Sequence, residues 1–202
     1  MSEPGEPEIQ KIDTFKLSGI GGFKSKRIVL VLTSDRFTDQ LERIRFSDKV
    51  AEWEYETVVC SVSSIETERI GKMDFNQLSG VLDLLDQKLK LLKELDITLI
   101  AMDELVCVGL SICLRDYNIS KVVLLNPVFC KGISVKLSRI EIPAFILYSG
   151  NAKSPAASSS RKYHDLIAGS SLHSMPDAPV GELLAKKTQF FSYLKSFLAN
   201  DQ

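Results

Sequence analysis

Histidine is nearly missing from this chain of 202 residues: there are two, His164 and His173, beside a single tryptophan, Trp53. Imidazole is the usual general base near neutral pH, so acid–base chemistry has few places to draw one from. Charge of one sign is also lacking. The 25 Lys and Arg face 26 Asp and Glu, a formal charge of −1, and that balance offers no field to gather nucleic acid or an anionic membrane. No apolar run reaches the roughly 18 to 20 residues of a membrane span. Residues 1–10 are acidic and Pro-rich, without the basic start and apolar stretch of a secretory leader. The four cysteines, Cys60, Cys107, Cys113 and Cys130, include no C-x-x-C pair. Free buried thiols in a reducing, cytoplasmic setting are the expectation, with a disulfide or metal site as alternatives.

What is present suits one domain with a substantial core: 45% of the residues are hydrophobic and 25% charged, ordinary values for a globular protein. A flexible acidic tail is expected over residues 1–12 and a single domain over 13–198. "TFKLSGIGGFKSKRIVLVLTSD" reads as a hairpin, a short strand turning into a strong one at Arg27 to Thr33. Its Gly-rich turn precedes a strand, whereas a phosphate loop joins a strand to a helix. A helix is expected from Thr38, a strand at Tyr55 to Val62, and then a long leucine-striped helix opened by Asp74 with Gln77 three residues on, the spacing of a capping box. Strands follow at Ile97 to Met102, Lys121 to Phe129, Pro143 to Ser149 and Ser170 to Met175. Between them lie helices at Leu105 to Tyr117 and Arg161 to Ala168, the latter after a small-residue loop at Gly150 to Ser160. A last helix spans Glu182 to Leu198. Apolar strands alternating with helices predict an α/β three-layer sandwich with a mostly parallel twisted sheet, whose crevice lies at the strands' carboxyl ends.

"DITLIAMDELVCVGLS" interrupts an apolar run with Asp103 and Glu104. The 18 residues from Asp103 to Lys121 leave room for a four-turn helix, roughly 15 residues, so a sharp strand-to-helix turn falls at Asp103. Ser111 lies too near the next strand for such a turn and reads as a helix residue. This order of elements resembles the α/β-hydrolase superfamily from its third strand to its last helix, over about residues 13–198, as a minimal member without a lid. Only 13 residues separate Phe129 from Pro143, where many members insert one.

In that superfamily a G-x-S-x-G elbow presents a nucleophile beside backbone amides that stabilise an oxyanion. Ala101-Met102-Asp103-Glu104-Leu105 occupies the matching positions. Some members attack with aspartate, so the resemblance implies Asp103 as nucleophile, with His173 as the histidine nearest the expected place. The oxyanion turn falls on Thr33, Ser34 and Asp35, with Met102 and Glu104 completing the crevice. The acid position falls on the loop of Asn151 and Lys153, which carries no carboxylate. Asp35, Asp103 and Glu104 could alternatively hold a hard cation, though solvated loop acids are the simpler reading and no metal or cofactor is expected.

Departures at the oxyanion turn, the acid position and the histidine position together imply a degenerate triad and a binding or assembly subunit, with a protein partner or a small-molecule ligand. A small hydrolase of ester or related bonds using Asp103 is the alternative, and a nucleotide-binding doubly wound domain a weaker one. Oligomeric state is not legible.

Overall fold

Strand residues alternate between two apolar faces, and this pattern builds the fold. Ile28, Leu30 and Leu32 point one way while Val29 and Val31 point the other; Val122 and Leu124 are likewise opposed to Val123 and Leu125. Such strands need cover on both sides. In the computed structural model, which describes residues 15–20, 22–115, 117–178 and 183–199, they form a seven-stranded sheet in the order β1-β3-β2-β4-β5-β6-β7. The strands are β1 (Lys16–Ser18), β2 (Arg27–Ser34), β3 (Glu56–Val62), β4 (Asp96–Met102), β5 (Ile119–Leu125), β6 (Ala144–Ser149) and β7 (Ser170–Met175). All pairings are parallel except that of β1 with β3. The expected tail, residues 1–12, lies outside the described residues.

One face is covered by α1 (Asp35–Arg43), α2 (Phe46–Ala51) and α8 (Lys187–Ala199), through Phe37, Leu41, Phe46, Val50, Phe190 and Leu194. The other is covered by α3 (Ser64–Gly71), α4 (Ser79–Leu89), α5 (Val106–Cys113), α6 (Ser134–Leu137) and α7 (Pro155–Leu166). Ile70, Val81, Leu85, Leu110, Leu137 and Tyr163 pack there. Among the described residues no helix is long and apolar enough to cross a membrane.

Several sequence expectations need correction. β1 and β2 are not a hairpin: the turn carries β1 past β2 to pair antiparallel with β3, which lies between them. The helix expected from Thr38 begins at Asp35 and breaks at Arg45, whose φ of 55° starts a second helix, α2. Helix α3 was not foreseen. The Ala and Ser run after Gly150 is not a loop but the first half of α7, started by Ser154, whose Oγ accepts from the Ala157 N–H at 3.1 Å, with Pro155 in the first turn. Free thiols hold only for Cys60 and Cys113; Cys107 and Cys130 form a disulfide across a Cα separation of 5.4 Å. For that pair the thiol argument for a reducing compartment does not apply. The capping box at Asp74 is present, with Gln77 Oε1 accepting from the Asp74 N–H at 2.8 Å.

Candidate functional site

β4 delivers the chain to the carboxyl edge of the sheet at Met102, and a 3-10 turn, Asp103–Leu105, leads at once into α5. Reversal this sharp requires an uncommon backbone: Asp103 has φ 49°, left-handed space that Asp tolerates better than most residues. The helix can fold back because its seat is shallow. A Cβ on Gly109 would stand 2.6 Å from the Ala101 Cβ, so α5 lies against β4 only with glycine there. Ser111 is an ordinary buried helix residue whose Oγ donates to the Cys107 carbonyl at 2.6 Å.

The elbow is electrostatically crowded. Burial pushes the Asp103 carboxyl up to about 7, the adjacent Glu104 charge adds to the rise, and Arg36 opposes it. At neutral pH the group is therefore about half protonated. Arg36, in the first turn of α1, was not singled out from sequence; only the folding of β2 into α1 brings its charge toward the elbow. Glu104 lies over the end of α3, its Cγ 2.5 Å from where a Cβ on Gly71 would be.

The oxyanion turn is occupied by helix. Thr33 is fully buried, with Oγ1 3.4 Å from the Met102 Sδ. Ser34 is the N-cap of α1, and its carbonyl accepts from Thr38 Oγ1 at 3.3 Å. Asp35 is exposed, and its Oδ1 accepts from Ser64 Oγ at 2.5 Å and from the Arg36 N–H at 2.8 Å. The Ser64 hydrogen bond holds the Asp35 carboxyl below the usual carboxylate range. Its charge is spent on α3 rather than shared with Asp103. Among the described residues no three His, Cys, Asp or Glu side chains gather as a metal site, so Asp35, Asp103 and Glu104 do not form the cation cluster weighed above.

Neither histidine joins the elbow. Met102 pairs with Leu125, Leu125 with Leu147 and Leu147 with His173. Three interstrand steps of about 4.8 Å put His173 roughly 14 Å from Met102 along the sheet. Its ring packs against Phe145 at 5.1 Å and Tyr193 at 5.3 Å. His164 stands at the opposite edge, with Nδ1 2.9 Å from the Oγ of Ser170, the first residue of β7. At the acid position Asn151 and Lys153 are exposed and make a turn of their own, the Lys153 N–H donating to Asn151 Oδ1 at 2.9 Å.

Beside Asp103 the structure places a brace instead. The Asp103 carbonyl accepts from the Val128 N–H at 3.3 Å. Tyr163 Oη donates to the Val128 carbonyl at 3.0 Å and accepts from the Cys130 N–H at 2.9 Å. The Cys107–Cys130 bond ties this loop to α5. Asn126, with φ 47°, closes β5 onto β6 by accepting from the Ser149 N–H at 2.8 Å and Oγ at 3.1 Å. Its sequence signal was the Asn126-Pro127 strand end; nothing in the sequence paired the cysteines. Depressions of about 620 Å³ between α2 and α8, and of about 330 Å³ around Phe75 and Arg139, open elsewhere, and Asp103 lines neither.

A seven-stranded, mostly parallel sheet with helices on both faces has counterparts among solved structures. A protein from Thermoplasma acidophilum described as a predicted CIB-like hydrolase superposes with a TM-score of 0.70 over 87% of each chain, at 14% identity. MenH from S. aureus gives 0.65 at 12% identity, covering 91% of this chain and 97% of that one. The chain has the α/β-hydrolase fold. A lipase-esterase related protein from Clostridium acetobutylicum, at 12% identity, matches with a TM-score of 0.62 over 91% of this chain and 99% of its own. No protein-family model matches the sequence, and no curated protein does. At such identities the α/β-hydrolase likeness carries architecture, and chemistry must be argued from the side chains.

Proposed function

We propose that this chain uses the α/β-hydrolase fold as a scaffold for binding or assembly and that its elbow does not turn over substrate. One observation carries the reading: neither imidazole faces Asp103, His173 being three strands away between Phe145 and Tyr193, and His164 lying at the amino edge of the sheet. An aspartate nucleophile forms an ester that needs an activated water for release, and an unassisted ester would persist. The charge pattern argues the same way. A carboxyl held up to about 7 beside Glu104 is only partly ionised at neutral pH, and the Glu104 charge disfavours a developing oxyanion.

A second reading, a small ester hydrolase acting through Asp103, is favoured by the left-handed backbone at Asp103, the strained geometry expected of a nucleophile elbow. The two separate on a panel of chromogenic esters and haloalkanes assayed with wild type and Asp103→Ala. The scaffold reading expects rates indistinguishable from buffer for both proteins. Turnover that disappears with the substitution would overturn it, whereas near-stoichiometric co-purification with one protein would add support.

A further inference from the structure

On the face of the sheet that carries α1, α2 and α8, a groove of about 620 Å³ runs between α2 and α8. Its floor is aromatic and held from below. Trp53 meets Phe191 edge-on at 6.0 Å, and Phe191 stacks on Phe46 at 6.1 Å. Phe46 is itself 2% exposed, so the half-buried indole is fixed by the core. Rigid, partly exposed aromatics of this kind are the usual anchors of protein interfaces. Ile44 extends the floor.

The rim has a sign. Arg45, Lys49, Lys187 and Lys195 line it against Asp48 and Glu52. Both acids are already taken: Asp48 pairs with Arg45 at 2.7 Å and Glu52 with Lys49 at 2.6 Å. Among the described residues no carboxylate lies within ion-pair distance of Lys187 or Lys195. Lys187, Phe191 and Lys195 recur every four residues and share one face of α8. The two lysines therefore stand about 12 Å apart, two helical turns, with the apolar contact between them.

We propose that this groove takes an acidic amphipathic helix from a partner protein. The apolar side of that helix packs on Trp53 and Phe191, and carboxylates two turns apart meet Lys187 and Lys195, the helix-in-groove mode of recognition. The proposal rests on the binding reading above and supplies the chemistry of the partner. It uses nothing at the elbow.

Trp53 is the chain's only tryptophan, so the groove reports on itself by fluorescence. The probe is a synthetic helical peptide of two to three heptads, leucine on one face and glutamate flanking it, with a matched peptide carrying lysine for glutamate. Titrating the glutamate peptide into the full chain should give a saturable blue shift of Trp53 emission that weakens as salt is raised. In Lys187→Glu/Lys195→Glu the dissociation constant should rise by at least about tenfold, since two favourable pairs become repulsive. The same variant should gain affinity for the lysine peptide, which shows that the reversed groove is folded. No response to the glutamate peptide, or an equal response to both peptides, would overturn the proposal. So would a peptide-free shift that grows with protein concentration, which would assign the groove to a second copy. A silent groove without ester turnover removes this partner and leaves the scaffold reading standing; turnover dependent on Asp103 removes that reading whatever the groove does.

Discussion

Replacing Asp103 with asparagine should make the protein more stable, and increasingly so with rising pH. The carboxyl ordinarily titrates at 3.8 and in the fold at about 7, a gap of about 4 kcal/mol at 1.36 kcal/mol per pH unit. The native state holds this proton more tightly than the unfolded chain does. Its contribution to stability is therefore full below about pH 3.8 and is lost as pH climbs through about 7. Between pH 5 and pH 8 the wild type should lose roughly 3 kcal/mol from this group alone. Asparagine has the same shape, keeps no titrating proton and accepts the left-handed backbone at φ 49°. Urea unfolding followed by Trp53 fluorescence at pH 5 and pH 8 measures the effect, and the gap between variant and wild type should widen by about that amount. Parallel pH profiles, or a variant less stable at pH 8, would refute the argument that burial and Glu104 raise this carboxyl.

The same elbow yields further expectations. Glu104→Gln should lower the Asp103 titration midpoint and Arg36→Ala should raise it, as read by carbon-detected NMR of the Asp103 carboxyl; movement the other way would contradict the charge assignment. Gly109→Ala would place a carbon 2.6 Å from the Ala101 Cβ and should cost about 1 to 3 kcal/mol in urea unfolding, whereas no loss would mean that α5 is not seated as closely as described. Opening the Cys107–Cys130 bond, whose partners are 23 residues apart, should cost about 3 kcal/mol through the freed unfolded chain. Matched melts with and without reductant test this, and equal midpoints would contradict it.

Much of the architecture was legible because its signals are local. The apolar stretch from Ile97 to Met102 and the leucines of α4 carry their own periodicity, and the spacing from Asp103 to Lys121 located the elbow. Helix α3 and the first half of α7 were missed although their caps were in view. Ser63 is followed by Glu66 three residues on, and its Oγ accepts from the Glu66 N–H at 3.3 Å. Ser154-Pro155 is likewise a start signal that the small residues after it obscured. The hairpin expectation failed for another reason: adjacency in sequence does not say which edge a strand will join, and β1 found its partner across the sheet at Ser61. The site was least legible because its decisive relations are long-range. The effect of Arg36 on Asp103, Tyr163 bracing the Val128 to Cys130 loop, and the distance of His173 from the elbow all depend on tertiary placement. The sequence placed Asp103 without saying what surrounds it.

That Asp103 does not act as a nucleophile is tested most directly by looking for a covalent intermediate. Any Asp103 able to displace halide from a bromoalkane would form an alkyl ester, and with no imidazole at hand to activate water for its release, that ester would accumulate. The scaffold reading holds that this attack does not occur, so intact-mass and peptide mass spectrometry after prolonged incubation of the wild type at pH 8, where Asp103 is mostly ionised, should show an unmodified chain at Asp103. An alkyl adduct on the Asp103 peptide, absent from Asp103→Asn, would contradict the scaffold reading and restore the elbow as a nucleophile.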